Sequence, residues 1–140
     1  MNENCIFCRI VNGSEPAYVV YSDSKVIAFL DKYPIKKGHT LVITREHYRD
    51  FLSTPTEVIG YLSEVTKKVA SAVMDALNAD GVKIFTNVGS SAGQVIFHVH
   101  IHVLPTWENE PPFSARRKEI DRETAERISS AIREKVSTLN

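Results

Sequence analysis

The seven residues from 98 to 104, His-Val-His-Ile-His-Val-Leu, alternate between histidine and aliphatic side chains. Successive side chains of a β-strand point to opposite faces. Val99, Ile101 and Val103 therefore share one face and the three histidines share the other, each roughly 6.7 Å from the next. The aliphatic face is suited to a protein core. The pattern predicts a β-strand that packs on one side and presents a row of imidazoles on the other.

This histidine row predicts a chemical site and not a solvated sheet surface. It holds three of the chain's five histidines, and imidazole exchanges protons near neutral pH and is the commonest metal ligand. Two kinds of chemistry remain open. Alternate histidines can chelate one catalytic metal that keeps an open position for water, or one histidine can be a nucleophile while its neighbours orient it and bind an anion. A hydrolytic metal site usually has a carboxylate close by, and residues 96–104 contain none.

A loop rich in glycine and serine precedes the histidine row. Residues 89–93 have the sequence Gly-Ser-Ser-Ala-Gly, with Asn87 before them and Gln94 after. Glycine allows close approach to the backbone, and exposed backbone N–H groups bind anions. Such a loop alone is typical of a hairpin turn, but beside a histidine row it indicates a phosphate pocket.

The rest of the apolar pattern predicts an α+β fold: a mostly antiparallel five-stranded sheet with one long helix after strand three and a C-terminal helix. Apolar residues at spacings of three and four between Val58 and Ala76 predict the long helix, and residues 54–57 predict a capping box with proline at the first helical position. A second apolar stripe, ending at Leu139, predicts the C-terminal helix from about Asp121. Runs rich in β-branched and aromatic residues predict strands over 17–21, 26–30, 40–44, 82–87 and 96–104.

The charge balance excludes the usual case for a protein that binds nucleic acid or membrane surfaces. The 140 residues include 17 Lys and Arg and 17 Asp and Glu, so the formal net charge is zero, whereas such binders carry a cationic excess. No apolar run approaches the roughly 20 residues that span a bilayer. The N-terminus lacks the basic and apolar regions of a secretory signal, and we expect a cytoplasmic protein.

Residues 93–104 as a whole, Gly-Gln-Val-Ile-Phe-His-Val-His-Ile-His-Val-Leu, resemble the signature of the histidine triad (HIT) family of nucleotide hydrolases and transferases. The similarity extends over residues 5–107 and includes Asp31, Asn87 and the run Gly-His-Thr-Leu-Val-Ile at 38–43. It implies a HIT-like fold. The expected organisation is a HIT catalytic domain over residues 1–107 and a charged helical extension over 108–140 that packs on the same domain.

The resemblance implies a covalent mechanism. His100 would attack the α-phosphorus of a nucleotide and carry a transient nucleotidyl group, which water then removes. His102 would contact the phosphate, and His39 would help to order the histidine cluster. A neutral imidazole is a good nucleophile and a good leaving group, so its chemistry agrees with this assignment.

The resemblance also implies the residues that bind the nucleotide. Asp31 would accept hydrogen bonds from the ribose hydroxyls, and Asn87 and the backbone around Gly93 and Gln94 would hold the phosphate. Many family members have Ser or Thr where this chain has Val95, and this difference bears on the leaving group and not on the nucleophile. The residues that match positions flanking the base are Phe7, Ile10 and Phe29.

The chain has two cysteines, Cys5 and Cys8, in a Cys-x-x-Cys pair. In a cytosolic chain this spacing favours a metal clip or a redox pair over a structural disulfide. A redox role is disfavoured because the pair does not lie between a strand and a helix. Some HIT proteins with this pair bind zinc through both cysteines, a histidine after the third strand and the first triad histidine. The resemblance thus implies structural Zn²⁺ held by Cys5, Cys8, His47 and His98, a ligand set typical of closed zinc sites.

Together these features predict a purine nucleotide hydrolase or nucleotidyl transferase that cleaves adenosine phosphoramidates or similar conjugates at the α-phosphate. One alternative is a dinucleoside polyphosphate hydrolase. Another is a hydrolase with His98, His100 and His102 on one catalytic metal, and a third is a nucleotide-binding protein with little turnover. The resemblance also implies a homodimer.

Overall fold

Five antiparallel strands form one sheet in a computed structural model that describes residues 3–110 and 117–138. The strand order is β1-β2-β3-β5-β4. The strands are β1 (Val19–Ser22), β2 (Val26–Leu30), β3 (Thr40–Thr44), β4 (Gly81–Phe85) and β5 (His100–Thr106). The helices are α1 (Ile6–Asn12), α2 (Thr56–Leu77) and α3 (Arg122–Ser137). The predicted α+β fold is confirmed, with α2 after strand three and α3 at the C-terminal end.

Helices α2 and α3 cover one face of the sheet and enclose the main core. Val99, Ile101 and Val103 lie in this core, as the alternating pattern predicts. Ile128 and Ile132 of α3 are buried in the same core, because the apolar stripe of α3 faces α2 and the sheet. Leu139, the last residue of the predicted stripe, lies outside the described residues. The division of the chain at residue 107 stays a prediction.

Helix α1, which the sequence analysis did not predict, covers the opposite face of the sheet. Its buried residues Phe7 and Cys8 join Phe29 and neighbouring sheet residues in a second, smaller core. The helix begins where Cys5 Sγ accepts the Cys8 N–H at 3.3 Å, and it ends at Gly13, whose φ is 86°. It has only seven residues, too few to show a helical period in the sequence.

Strand β5 begins and ends later than predicted. The Val99 N–H donates to the Tyr48 carbonyl at 2.7 Å instead of to a neighbouring strand, so sheet pairing starts at His100. The strand continues past Pro105 because pairing with β3 has already ended at Val103. Proline is tolerated where a strand has a neighbour on one side only.

Helix α2 begins without the predicted capping box. The Thr54 hydroxyl donates to the Asp50 carbonyl at 2.6 Å, and Pro55 occupies the N-cap position with no side-chain cap. At the other end Asn78 adopts a left-handed conformation with φ of 55° and stops the helix, as predicted. Within residues 3–110 and 117–138, no helix is long and apolar enough to cross a membrane. A cytoplasmic location stays a prediction.

Candidate active site and metal cluster

A cavity of about 510 Å³ opens between α1, β2 and the loop before β5. His100 and His102 line it, together with Phe7 and Ile10 of α1 and Phe29 of β2. Its volume lies in the range of small-molecule and cofactor sites. The cavity therefore brings the predicted catalytic histidines together with the residues predicted to flank the base.

The hydrogen bonds of His100 leave one ring nitrogen available for chemistry. Its Nδ1 lies 2.7 Å from the His98 carbonyl oxygen, and because a carbonyl only accepts, Nδ1 carries the hydrogen. Nε2 of the neutral ring then holds a lone pair. Burial lowers the pKa of His100, which favours this neutral ring. His100 thus presents an uncharged ring nitrogen with a lone pair, which is the form in which imidazole acts as a nucleophile.

A backbone N–H sets the tautomers of His39 and His102. The Ile35 N–H donates to His39 Nδ1 at 3.1 Å, so the hydrogen of neutral His39 lies on Nε2. His39 Nε2 donates in turn to His102 Nδ1 at 3.0 Å, which places the hydrogen of His102 on its own Nε2. Burial, with a smaller contribution from neighbouring charges, lowers the pKa of both histidines to about 3. His102 is therefore an uncharged N–H donor beside the cavity.

The Gly-Ser loop is held in shape by a buried side chain. Gln94 Oε1 accepts the Gly89 N–H at 2.9 Å, and Gln94 Nε2 donates to the carbonyls of Arg49 and Ile96 at 2.8 and 3.1 Å. These three bonds use both ends of the amide. The Gln94 side chain therefore supports the loop, and its backbone remains the part predicted to meet a phosphate.

Gly93 and Val95 line the cavity, whereas Asn87 lies behind Gly93. Gly93 has a φ of 101°, and a Cβ at this position would lie 3.3 Å from Asn87 Nδ2. Glycine is required here both by the left-handed backbone and by this close approach. Val95 is 78% exposed at the cavity mouth, so an aliphatic side chain stands there.

Asp31 lies in the cavity wall with both carboxylate oxygens hydrogen bonded. The Tyr33 N–H donates to Oδ1 at 2.8 Å, and Arg117 Nη2 donates to Oδ2 at 2.9 Å. The sequence does not predict Arg117 in the site, because charged residues of the tail suggest a solvated face and nothing links Arg117 to a residue 86 positions away. Phe85 was not predicted either, and its ring stacks on His102 with centroids 4.5 Å apart. The sequence indicates Phe85 only through its place in the alternating pattern of the predicted fourth strand.

The four predicted metal ligands form one cluster. One donor atom from each of Cys5, Cys8, His47 and His98 lies within 4.8 Å of the others. His98 Nδ1 is 3.4 and 3.5 Å from the two cysteine sulfurs, and His47 Nδ1 is 3.2 Å from Cys8 Sγ. At usual bond lengths, tetrahedral zinc keeps neighbouring nitrogen and sulfur donors roughly 3.3–3.8 Å apart. The cluster can hold a metal ion.

His98 is oriented toward this cluster and away from the cavity. Its Nε2 donates to the Thr44 carbonyl at 2.7 Å, which leaves the Nδ1 lone pair directed at the sulfurs. Metal-bound histidines commonly donate their other ring N–H to a backbone carbonyl in this way. His98, His100 and His102 form no joint metal-binding group in the part of the chain that the structure describes. The row therefore divides into one histidine at the cluster and two at the cavity.

These features define an α+β protein with a neutral histidine and an N–H donor in one cavity, beside a Cys/His cluster. A family model for the HIT domain matches residues 12–109. The chain therefore belongs to the HIT family, as its sequence predicts. This membership supports a nucleotide hydrolase or transferase as the class of activity.

Two relatives show how far the similarity extends. An uncharacterized HIT-like protein of Saccharolobus solfataricus is 49% identical over 138 residues, which cover 96% of this chain and 99% of that protein. An adenylylsulfatase of Arabidopsis thaliana is 34% identical over 110 residues, which cover 79% of this chain and 56% of that enzyme. The first relative thus matches nearly the whole chain, and the second matches most of it.

Two solved structures share the fold over 96% of this chain. A hypothetical histidine triad nucleotide-binding protein from Sulfolobus tokodaii has a TM-score of 0.91 at 44% identity and covers 96% of this chain and 93% of its own. A Zn-bound histidine triad family protein from Mycobacterium smegmatis has a TM-score of 0.85 at 36% identity, with coverage of 96% and 94%. The second of these proteins contains zinc.

Proposed function

We propose that this protein is a nucleotide hydrolase or nucleotidyl transferase that cleaves purine nucleotide conjugates, such as adenosine phosphoramidates, at the α-phosphate. The observation that carries the proposal is the tautomer order in the cavity, where His100 has a lone pair on Nε2 and His102 has a hydrogen on Nε2. One cavity thus holds an uncharged nucleophile, His100, and an uncharged hydrogen-bond donor for an anion, His102.

In the first step, His100 Nε2 attacks the α-phosphorus, and the bond from phosphorus to the leaving group breaks. The leaving group departs with the bonding electron pair and takes up a proton from solvent. The imidazole becomes positively charged while Nδ1–H stays bonded to the His98 carbonyl, which stabilises that charge. The His102 N–H can donate to a phosphate oxygen as negative charge develops there. Water then attacks phosphorus, breaks its bond to Nε2 and returns one proton to solvent, which releases the nucleoside monophosphate and restores neutral His100.

The other predicted binding residues are assigned to the nucleoside and the phosphate. Phe7, Ile10 and Phe29 form the apolar wall proposed for the base, and Asp31 is the proposed acceptor for the ribose hydroxyls. The backbone around Gly93 and Gln94 is proposed to hold the phosphate, with Asn87 supporting Gly93 from behind. At the cavity mouth, Val95 is proposed to select the leaving group, because it offers apolar contact and no hydroxyl.

Adenylyl substrates are favoured because one relative, at 34% identity, is an adenylylsulfatase. Dinucleoside polyphosphates remain the second candidate substrates, since the same attack at an α-phosphorus would cleave them. A hydrolase with one catalytic metal on the histidine row is disfavoured by geometry, because His98 faces the cysteines while His39 occupies His102 Nδ1.

We propose that the Cys/His cluster binds structural Zn²⁺ through Cys5, Cys8, His47 and His98. The donor set and its distances fit tetrahedral zinc, and the related protein from Mycobacterium smegmatis is Zn-bound. Such an ion would tie α1 to the loop after β3 and to the residue whose carbonyl orients His100. Its proposed role is structural, and the proposed chemistry stays with the two histidines of the cavity.

A homodimer is proposed on the exposed edge of the sheet. Strand β4 is an edge strand, and its residue Ile84 is 50% exposed beside a groove that Val82, Ile101 and Met74 also line. An exposed apolar edge strand favours pairing with a second chain. Light scattering should give twice the chain mass for the wild type and for Leu52→Glu, which alters an exposed residue outside the groove. Ile84→Glu should give monomers, and a monomeric wild type would disprove the dimer.

The test of the proposed function is hydrolysis of adenosine 5′-phosphoramidate by the wild type and by His100→Ala, with AMP binding and metal content measured in both. Turnover should fall by about a thousandfold or more in the variant, while AMP binding and metal content are retained. Turnover that survives the substitution would remove His100 as the nucleophile. A wild type that binds AMP but cleaves only dinucleoside polyphosphates would favour the second substrate class.

A further inference from the structure

Among the described residues, one cation from outside the matched HIT domain lines the cavity. Arg117 lines the cavity, although the family match ends at residue 109. Its Nη2 donates to Asp31 Oδ2 at 2.9 Å, and its Nε donates to the Tyr33 carbonyl at 2.8 Å. The guanidinium therefore bridges the two ends of a short turn in the cavity wall.

The backbone around Arg117 is tied to the same wall. The Ile120 N–H donates to the Lys32 carbonyl at 2.9 Å. Helix α3 begins directly afterwards at Arg122, and its residue Ala125 is fully buried in the main core. Arg117 is thus placed by a backbone hydrogen bond and a packed helix, and its position does not depend on the ion pair alone.

The contacts of Asp31 leave room for a ligand. A carboxylate offers about four lone-pair sites on its two oxygens, and among the described residues the Tyr33 N–H and Arg117 take one on each. The neutral His39 ring also lies near, with Nδ1 3.7 Å from Oδ2, but this nitrogen accepts the Ile35 N–H and so does not donate to Asp31. The remaining lone pairs can accept from a pair of neighbouring hydroxyls.

The electrostatics of the Asp31–Arg117 ion pair agree with a carboxylate that accepts hydrogen bonds from a ligand. Burial raises the pKa of Asp31, while the Tyr33 N–H and the Arg117 guanidinium lower it. The Asp31 side chain is only 15% exposed, so an unpaired carboxylate there would be poorly solvated and held less firmly in one orientation. Arg117 supplies both the compensating charge and a second fixed contact.

We propose that Arg117 is a positioning residue for ribose recognition: it fixes the Asp31 carboxylate so that the site favours nucleotides with a 2′,3′-diol over 2′-deoxynucleotides. This inference rests on the proposed function, because it assumes that the nucleoside binds with its ribose at Asp31. It assigns part of the substrate specificity to the C-terminal extension. The HIT domain matched in residues 12–109 would then be incomplete for sugar selection.

The test compares adenosine 5′-phosphoramidate with its 2′-deoxy analogue in the wild type, Arg117→Gln and Arg117→Lys. The wild type should prefer the ribonucleotide. In Arg117→Gln the KM for the ribonucleotide should rise about tenfold, while the KM for the deoxynucleotide and both kcat values change little, so the preference shrinks. Arg117→Lys keeps the charge without the planar guanidinium group, so its sugar preference should lie between those of the wild type and Arg117→Gln.

Arg122→Gln is the matched control, because it removes the same charge from an exposed side chain of the same extension. It should leave both KM values and the sugar preference unchanged. Metal content should be the same in all variants. Arg117→Gln should unfold at a modestly lower temperature, because it leaves the buried Asp31 carboxylate without its cation.

Three outcomes would overturn the inference. An equal rise in both KM values would show that Arg117 supports the fold and not the sugar contact. A lower KM for the ribonucleotide in Arg117→Gln would show that Arg117 competes with ribose for Asp31. A wild type that neither binds AMP nor cleaves either phosphoramidate would reject the proposed function and this inference with it, whereas a wild type that cleaves both equally would reject the inference alone.

Discussion

At the scale of single residues, the site depends on His39, a fully buried side chain. It accepts the Ile35 N–H on one nitrogen and donates to His102 from the other. The backbone therefore determines which nitrogen of His102 carries a hydrogen. His39 is a positioning residue in this account, because it acts through His102.

Replacement of His39 should lower kcat more than it changes KM. His39→Leu removes the donor that fixes the tautomer of His102 and leaves the Ile35 N–H without its partner, which costs about 1–3 kcal/mol of stability. We expect kcat for adenosine 5′-phosphoramidate to fall by about tenfold to a hundredfold. His39→Gln keeps an acceptor and a donor and should retain more activity than His39→Leu. A change confined to KM in both variants would contradict a role through His102.

At the scale of elements, α1 joins the metal cluster to the cavity. Cys8 contributes a sulfur to the cluster, while Phe7 and Ile10 of the same helix line the cavity. A helix of seven residues is marginal without tertiary support. The position of the proposed base wall is therefore expected to depend on the cluster.

Loss of the metal should loosen α1 and weaken nucleotide binding. In Cys8→Ser, or after chelation, we expect amide hydrogen exchange of residues 6–12 to accelerate while the interior of α2 stays protected. The KM for adenosine 5′-phosphoramidate should rise severalfold, with a smaller effect on kcat because His100 and His102 belong to β5. Complete loss of turnover in a chelated protein that remains folded would instead favour a catalytic metal.

The elements that could be predicted are those with a long periodic pattern. Strand β5, α2 and α3 each repeat apolar residues over many positions, and the structure contains all three. The predicted start of β5 was wrong because the Val99 N–H donates to the Tyr48 carbonyl in a loop. The alternating pattern of a strand gives no sign of such a contact. Helix α1 was not predicted because its apolar residues are arranged to meet the sheet and are too few to show a period.

In the candidate site, likewise, local sequence patterns could be predicted and contacts between distant residues could not. The histidine row and the Cys-x-x-Cys pair are local patterns, and the cavity and the cluster contain the residues that these patterns indicate. Arg117 could not be predicted, because its contact with Asp31 joins positions 86 residues apart. The support given by Gln94 to its loop likewise depends on the Arg49 carbonyl, far away in sequence.

At the scale of the whole molecule, buried neutral histidines make stability depend on pH. The pKa of His39 and of His102 is lowered from 6.5 to about 3, chiefly by burial. Between these values the unfolded chain binds protons that the folded chain does not, so the free energy of unfolding must decrease as the pH falls. The stability from these groups is fully present above about pH 6.5 and is lost as the pH falls toward 3.

Urea unfolding across this pH range should therefore show stability that declines with acid. His39→Gln removes one of the two groups and leaves the Cys/His cluster unchanged, so its decline should be shallower than that of the wild type. Equal slopes in the two proteins would show that His39 is not held neutral by the fold.

The proposed mechanism requires that hydrolysis proceed through a nucleotidyl group on His100. In-line displacement inverts the configuration at phosphorus, so two successive displacements retain it, whereas a single attack by water inverts it. The most direct measurement is hydrolysis, in isotopically labelled water, of adenosine 5′-phosphoramidate made chiral at phosphorus by sulfur, with the product configuration determined by phosphorus NMR. We predict retention of configuration; inversion would contradict the covalent mechanism and favour direct attack by water.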